Sequence, residues 1–549
     1  MISAATEQEF LLKFKEAGDR EYDKTTLEEF LTTKIQIRSN GKYEPYSFKG
    51  HECFRSMTRK FSNSKKLIAM KAAQIGFSTW MIGRALWLTN GKNLNGGFYF
   101  PDRESMKAFV QYRWDPIIKH SPYFQKMVTE ESEVNNVRIK NIGKSLFSFN
   151  GTTNLKDVKS FDADITIRDE VDEQNPENSG FISDRLLHSN FAKDMAGSQP
   201  SIEDFGIHAE FMDSDQNFYL IKCDSCNHWN DLVNRFLEDP EKVFGKKNKT
   251  KEVEYFYACE KCHKPLNNQK GEYVAKRKHK NTGVQISQMF LNYKTPTEIY
   301  QLWKNANSHI KRKNLYISVI GWPYSTDEEK PVTQSVIDSQ KGDHGLYDIS
   351  QSYSYMGADQ GDTVHMVFGE PTTDARIRII GLAKFSVLDD DSIHRSIIRF
   401  AVYQGIVDAM PNKSWSVRLA KIFPEQIKIQ YFSKKYSLKE EDVLNSEDEI
   451  EVLNINRDES LQDTVDAIKN GLFIFPDKSR LDGPDLVLME EFEYHLKMLI
   501  RERGEDEFGR PKYSFKKKVE NHFGMALNSM RLAYELSGGI GGAGTLPVY

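Results

Sequence analysis

The sequence predicts an α/β protein made of two units in tandem, and three observations carry that expectation. Strand-like and helical runs alternate from about residue 67 to residue 200, the pattern of a largely parallel sheet covered by helices. Two C-x-x-C pairs amid lysine-rich loops break the alternation between Ile221 and Tyr273. A polar connector, Ser325 to Gly345, then leads to a second run of strands opening near Tyr353.

The elements follow in order. "KLIAMKA" is strand-like, and "GFSTWMIGRALWL" is a helix with bulky residues on most sides, hence a buried one. "GGFYFP" is a strand, and "DRESMKAFVQYRWDPIIKH" is a helix with Asp102 placed to cap it. "SLFSFNGT" and "ADITIRDEVDE" are strands, while "TPTEIYQLWKNANSHI" is helical and "LYISVIGWPYS" closes the unit. In the second unit "YSYMGADQGDTVHMVFGE" and "ARIRIIGLAKFS" read as paired strands, "GIVDAM" and "IKIQYF" as further strands. "DLVLMEEFEYHLKMLI" and "HFGMALNSMRLAYEL" are helices. The expected boundaries are 1–335 for the first domain, with an insertion at about 216–275, a linker at 336–350, a second domain at 351–536 and a flexible glycine-rich tail at 537–549. The first twenty residues read as an amphipathic helix and not as a secretory signal.

Composition excludes some classes. Hydrophobic residues at 39% and charged residues at 28% of 549 fit globular domains, and no run reaches the ~20 apolar residues of a membrane span. The net charge of -4 means that contact with nucleic acid has to come from local patches. Lys246 to Val253, Ala275 to Lys280 and His309 to Asn314 are the candidates, each read equally well as a solvated loop.

A phosphate-binding loop surrounds its anion with backbone N–H groups at a helix N-terminus and adds a lysine charge. "KAAQIGFS" has Gly76 and Ser78 where G-x-x-x-x-G-K-[ST] keeps its last glycine and its hydroxyl, but Phe77 stands in place of the lysine and Lys71 in place of the first glycine. A long side chain at Lys71 can fold over the same phosphates. Lys71, Gln74, Gly76, Ser78 and Thr79 are therefore the candidate nucleotide-binding residues. About 90 residues on, "DADITIRDEVDEQ" ends in Asp169-Glu170. An acidic pair at a strand end suits ATP hydrolysis, the aspartate holding Mg²⁺ through water and Glu170 polarising the attacking water. Ser198-Gln199-Pro200 reads either as a coupling segment on the next strand or as a turn. Arg103 and Arg185 are candidates for an arginine acting on a neighbouring subunit.

Four of the five cysteines, Cys223, Cys226, Cys259 and Cys262, form the two C-x-x-C pairs. Four thiolates complete a closed tetrahedral zinc site, structural by default because no coordination position stays open. Cys53 is left as a core residue, and His228 and His263 as flanking surface groups.

In the second unit Asp359 ("YMGADQGD") and Asp408 ("GIVDAMP") both end strands. Carboxylates on adjacent strands suit an RNase H-like nuclease holding two divalent ions, Mg²⁺ or Mn²⁺. Asp362 is a further candidate, and Glu520, Asn521 or His522 could supply a third ligand from the start of the last helix.

Together these segments resemble the large terminase subunit of tailed bacteriophages, the lambda-type family, from about Tyr43 to Ala533. "KAAQIGFS" is similar to the family loop of lysine, small residues, glycine, aromatic and serine, with the active lysine first; "ITIRDEVDE", "DSDQNFYLIKCDSC", "GADQGD", "IVDAMP" and "NINRDESLQDTVDAIKNGLFIFP" resemble its later segments. Related nucleases often begin the final helix His-x-x-Asp-Ala, whereas this chain reads His522-Phe523-Gly524-Met525-Ala526. A thioether does not bind a hard ion, so Glu520 and His522 are the expected replacements. The resemblance implies an ASCE-type P-loop ATPase joined to an RNase H-like nuclease. It implies a motor that pumps double-stranded viral DNA into a procapsid using ATP and cuts the concatemer. It further implies a small terminase subunit and a portal protein as partners, a ring of copies at the portal, and a place in the host cytoplasm. Two other readings stay open: a helicase-like DNA-dependent ATPase with a non-catalytic second unit, and a zinc-stabilised DNA-binding or assembly protein.

Overall fold

The computed structural model describes residues 25–39, 41–127, 136–248, 253–433, 450–505, 511–517 and 519–538. The expected N-terminal helix, part of the Lys246 to Val253 stretch and most of the glycine-rich tail lie outside them. The chain forms two units, Met1–Ser325 and Thr326–Tyr549, so the division falls ahead of the expected boundary at 335.

The first unit is built on a ten-stranded sheet. Its elements are β1 (Lys66–Lys71), α1 (Phe77–Thr89), β2 (Gly96–Phe100), α2 (Arg103–Phe109), β3 (Ile139–Ile142), β4 (Ser145–Gly151), β5 (Ile165–Asp169), β6 (Lys193–Ser198), α3 (Gly206–Met212), β7 (Asn217–Lys222), β8 (Trp229–Asn230), β9 (Gly271–Ala275) and β10 (Thr282–Ile286). The strand order is β8-β7-β10-β1-β6-β5-β2-β4-β3, with β9 also paired to β7. From β10 to β4 every pairing is parallel. The inner strands β1, β2 and β5 are buried almost throughout, as a sheet covered on both faces requires. Asp102 caps α2 by accepting the Ser105 N–H at 2.7 Å, as its sequence position predicts. The helix it starts is interrupted by a π-turn at Val110–Trp114 before resuming at Asp115–His120.

One topological detail positions the chemistry. β6 lies between β1, which feeds the phosphate loop, and β5, which ends in the acidic pair. Register sets Asp169 beside Gly197, and Gly197 beside Ala69, so the ends of all three strands meet at one edge. This is the strand arrangement of an ASCE-like sheet.

The second unit carries a mixed sheet of seven strands: β11 (Ser354–Asp359), β12 (Thr363–Pro371), β13 (Ile377–Ser386), β14 (Val402–Asp408), β15 (Ile427–Ser433), β16 (Val452–Asn456) and β17 (Phe473–Ile474). Its order is β16-β15-β14-β11-β12-β13-β17. β11, β12 and β13 form an antiparallel meander, while β14 to β16 run parallel to β11. Helices α4 (Arg457–Lys469), α5 (Gly483–Lys497) and α6 (His522–Leu536) cover one face. α6 approaches so closely that a Cβ at Gly357 of β11 would lie 1.9 Å from the Ala526 carbonyl. Among the described residues no helix is long and apolar enough to cross a membrane.

Candidate active sites

The nucleotide edge is assembled from β1, the loop after it and α1. Gly76 caps α1 with φ of +83°, a left-handed conformation that glycine adopts without strain, and Gln74 is left-handed as well. The loop is fixed from outside: Ala72 N–H donates to Ile286 O (2.8 Å), Ala73 N–H to Ser318 O (2.9 Å), and Gln288 Nε2 to Ala73 O (2.9 Å). Lys71 Nζ is buried and lies 3.1 Å from Glu170 Oε1. Ser78 Oγ donates to Asp169 Oδ2 at 2.8 Å. Burial pushes the Asp169 carboxyl above its usual range, against the pull of the Lys71 charge and the Ser78 hydroxyl. Four of the expected residues, Lys71, Ser78, Asp169 and Glu170, therefore stand together around the start of α1. Thr79 is half-buried beside them and Gln74 is exposed on the loop.

Phe77 points the other way. It is 1% exposed and stacks on Trp80, ring centroids 5.6 Å apart. Gly197 makes room for it: a Cβ there would lie 2.4 Å from the Phe77 ring and 3.6 Å from Lys71 Cε. The side chain at 77 belongs to the core beneath the loop, and the cation at 71 is aimed at the edge from β1.

Ser318 was not legible as a site residue. Its carbonyl accepts from Ala73, and its hydroxyl donates to Gln199 Oε1 at 3.3 Å, joining the phosphate loop to the Ser198-Gln199-Pro200 segment. Of the arginines, Arg185 is held within the unit by Lys159 O (3.0 Å) and Asp162 (3.5 Å), while Arg103 is exposed at the start of α2. Arg113, which the sequence did not single out, is exposed on the π-turn, and its charge favours ionised Asp169.

The four cysteines come from two matching knuckles. In one, Cys223 N–H donates to His228 O and Asn227 N–H to Cys223 O; in the other, Cys259 N–H donates to Lys264 O and His263 N–H to Cys259 O, all four at 2.9 Å. Asn227 and His263 occupy the same left-handed position. His263 thus serves its turn, and His228 faces Glu260 at 3.5 Å. Cys223 and Cys262 sulfurs are 3.6 Å apart, as are those of Cys226 and Cys259. Sulfurs held ~2.3 Å from a central ion at tetrahedral corners lie about 3.8 Å apart, so the residues fit a zinc ion. Burial opposes ionisation of Cys259, but the Cys262 and Lys261 amides bring its thiol down to about 6. Cys53 is fully buried, as expected of a core residue.

In the second unit Asp359 and Asp408 end adjacent parallel strands, one step beyond the pair Ala358 and Val407. Burial and then the Asp359 charge push the Asp408 carboxyl up to about 7. Gln360 Nε2 braces the pair by donating to Asp408 O at 2.8 Å. His522, first residue of α6, places Nδ1 2.8 Å from Asp359 Oδ2. Met525 is packed in the hydrophobic core, Glu520 is exposed just before the helix, Asn521 is buried at its N-cap, and Asp362 is exposed in the β11–β12 turn.

Behind this pair lies a cluster that sequence reasoning missed. His365 faces Asp359 across β12 and stacks on His522, centroids 4.8 Å apart. His365 Nε2 lies 3.3 Å from Glu491 Oε1, which also takes Lys384 Nζ at 2.7 Å. His365, Glu491 and His495 are close enough together to hold an ion. However, His495 Nδ1 accepts the Phe523 N–H at 3.2 Å, which fixes the proton of neutral His495 on Nε2, the atom facing Glu491. His365 is thus hydrogen-bonded to Glu491, while His495 packs beside them with Nε2 4.0 Å from that carboxylate. No local sequence signal joins residues 365, 491 and 495.

Residues 43–277 match the family model described as phage terminase large subunit gpA, ATPase domain. No curated protein matches the chain. Among solved structures, the large terminase of bacteriophage HK97 is similar at 10% identity and TM-score 0.46, over 92% of this chain and 98% of that one. The large terminase of a thermophilic bacteriophage, in complex with ADP, is similar at 11% identity and TM-score 0.30, over 90% and 100%. The large terminase nuclease of thermophilic phage G20c matches 37% of this chain and 96% of its own, at 14% identity and TM-score 0.24.

Proposed function

We propose, from the match of residues 43–277 to the model of the phage terminase large subunit gpA ATPase domain, that the whole chain is a viral DNA-packaging motor with its own nuclease. ATP hydrolysis in the first unit drives double-stranded DNA into a procapsid, and the second unit cuts the concatemer. The small terminase subunit and the portal protein are its partners, and copies act as a ring on the portal in the host cytoplasm.

The observation that carries the ATPase half is the double pairing of Lys71 with Glu170 and Ser78 with Asp169 at the start of α1. The α1 N-terminus and Lys71 face the phosphates, Ser78 and Asp169 are placed to hold Mg²⁺, and Glu170 to orient water. In the RNase H-like half, Asp359 and Asp408 hold the divalent ions, with His522 as the group nearest them from α6. The four cysteines hold one structural zinc, so metal analysis should return about one zinc per chain; folded protein free of zinc would contradict the site.

Burial of Met525 where related nucleases carry an aspartate favours a second reading, a DNA-dependent ATPase whose second unit does not cut. One comparison decides. Hydrolysis stimulated by DNA and plasmid cleavage in Mg²⁺ or Mn²⁺ are measured for wild type, Glu170→Gln and Asp359→Asn. The motor-nuclease reading expects each variant to lose one activity and keep most of the other. Undiminished cleavage by Asp359→Asn excludes the nuclease site as drawn.

A further inference from the structure

α3 packs on the central strand β1 of the first sheet, and it is tied down at both ends. At its start stands Asp172, two residues beyond Glu170 and 7% exposed. Its carboxylate accepts Ile207 N–H (2.7 Å), Ser201 N–H (2.7 Å) and Ser201 Oγ–H (2.6 Å), and its own N–H donates to Ser198 Oγ (3.2 Å). Gly206 is left-handed at +52°, and a Cβ there would lie 2.4 Å from Asp172 Oδ1, so the helix start is moulded on that carboxylate. Midway, Glu210 returns to β5 through Arg168, the neighbour of Asp169. Ile207 and Phe211 pack on Ile68 and Met70 of β1.

At the far end Arg277 donates from Nε to Ser214 O at 2.6 Å and from Nη2 to Met212 O, the last carbonyl of α3. Lys276 N–H adds bonds to the Asp215 and Gln216 carbonyls, both at 3.1 Å. Lys276, Lys278 and Lys280 are exposed, so this loop sets three ammonium groups toward solvent within five residues, while the Arg277 guanidinium is committed to the carbonyls at the end of α3. A helix of seven residues, about 10 Å long, thus has the amide of its second residue on the turn that carries Glu170 and its last carbonyl on a basic loop.

We propose that Lys276, Lys278 and Lys280 contact the phosphates of duplex DNA and that α3, anchored by Asp172 and Arg277, links the position of their loop to the turn carrying Glu170. The linkage rests on the ATPase reading above; the contact does not. A duplex fits because it presents closely spaced phosphates to a short row of cations.

The test uses the full chain, a fluorescent duplex titrated across a salt series, and ATP hydrolysis with and without that duplex. Lys276→Ala/Lys278→Ala/Lys280→Ala should flatten the slope of log affinity against log salt by about 2.7, the value for three phosphate contacts. An unchanged slope overturns the contact. Arg277→Lys keeps the charge but loses the fork that spans two carbonyls. It should bind duplex as wild type does, while the ratio of hydrolysis with DNA to that without falls toward one. Asp172→Asn should lose the same ratio from the other anchor. Full stimulation in Arg277→Lys overturns the linkage. A wild-type protein that hydrolyses no ATP overturns the linkage together with the motor reading, and the salt slope still decides the contact.

Discussion

Lys71 and Glu170, 99 residues apart in sequence, face each other across the nucleotide edge with Nζ 3.1 Å from Oε1. On the proposed ATPase reading, the lysine meant for phosphate and the carboxylate meant for water are each other's partner in this structure, and phosphate drawing Lys71 away frees the Glu170 carboxylate. Glu170 is held for this by its left-handed backbone and by its N–H donating to Gly197 O at 2.9 Å.

Lys71→Ala removes both the phosphate charge and the partner that restrains Glu170. It should abolish ATP hydrolysis, with a fall in kcat of at least about 100-fold by loss of the electrostatic contribution. A Lys71→Ala protein hydrolysing ATP at the wild-type rate, followed by phosphate release, would remove the loop from the mechanism.

Phe77→Lys, which restores the common spacing of a phosphate loop, should harm the protein. The ring fills the space over Gly197 and is almost fully buried, so the change loses core packing and strands an ammonium in it. A cost of at least about 3 kcal/mol is expected from the lost aromatic ring alone. Urea unfolding measures it, and a variant as stable and active as wild type would contradict the placement of Phe77.

That contrast shows what was legible in the sequence. "KAAQIGFS", "IRDEVDE", the cysteine pairs and the aspartates in "GADQGD" and "IVDAMP" are short strings whose chemistry is local, and alternation of apolar runs located the strands that carry them. The rest depends on registers that no string records. Ser318 reaches the phosphate loop only because its turn packs over Ala73, and His365 faces Asp359 only through the pairing of β11 with β12. The connector read at Ser325 to Gly345 contains a helix, Gln334–Ser339, capped by Thr333, and from Thr326 on it belongs to the second unit. Its one buried apolar residue, Ile337, was too little periodicity to announce it.

Asp408 should make the second unit sensitive to pH and, on the proposed nuclease reading, to metal. Its folded pKa is raised to about 7 from 3.8, so the stability it permits is complete below 3.8 and is lost as pH rises through about 7. The loss is at most about 4 kcal/mol, and less where water reaches the half-buried carboxylate. Melting in EDTA at pH 5 and pH 8 should show a drop that Asp408→Asn lacks, and Mg²⁺ or Mn²⁺ at pH 8 should recover part of it. Equal drops in wild type and Asp408→Asn would deny the carboxylate this role.

Arg168 fixes the strand that ends in Asp169-Glu170, and its partners decide how firmly. It donates to Glu210 at 2.6 and 2.8 Å and to Asp194 at 2.9 Å, and Lys66 lies 3.3 Å from Glu210. Burial alone would raise the Glu210 carboxyl, but Arg168 and then Lys66 pull it down to about 2. A depressed acid contributes stability above its unfolded value of 4.5 and loses it as pH falls through about 2. Glu210→Ala leaves a buried guanidinium with one carboxylate in place of two. Breaking a buried pair costs about 3–5 kcal/mol, and Asp194 holds this case to the lower end, about 3 kcal/mol. Arg168→Met with Glu210→Leu and Asp194→Asn should recover much of that loss, because none of the three charges then needs a partner. Urea unfolding of the single and triple variants at pH 7 measures both steps. A triple variant less stable than Glu210→Ala would mean that the ions themselves, and not their mutual satisfaction, hold β5 in place.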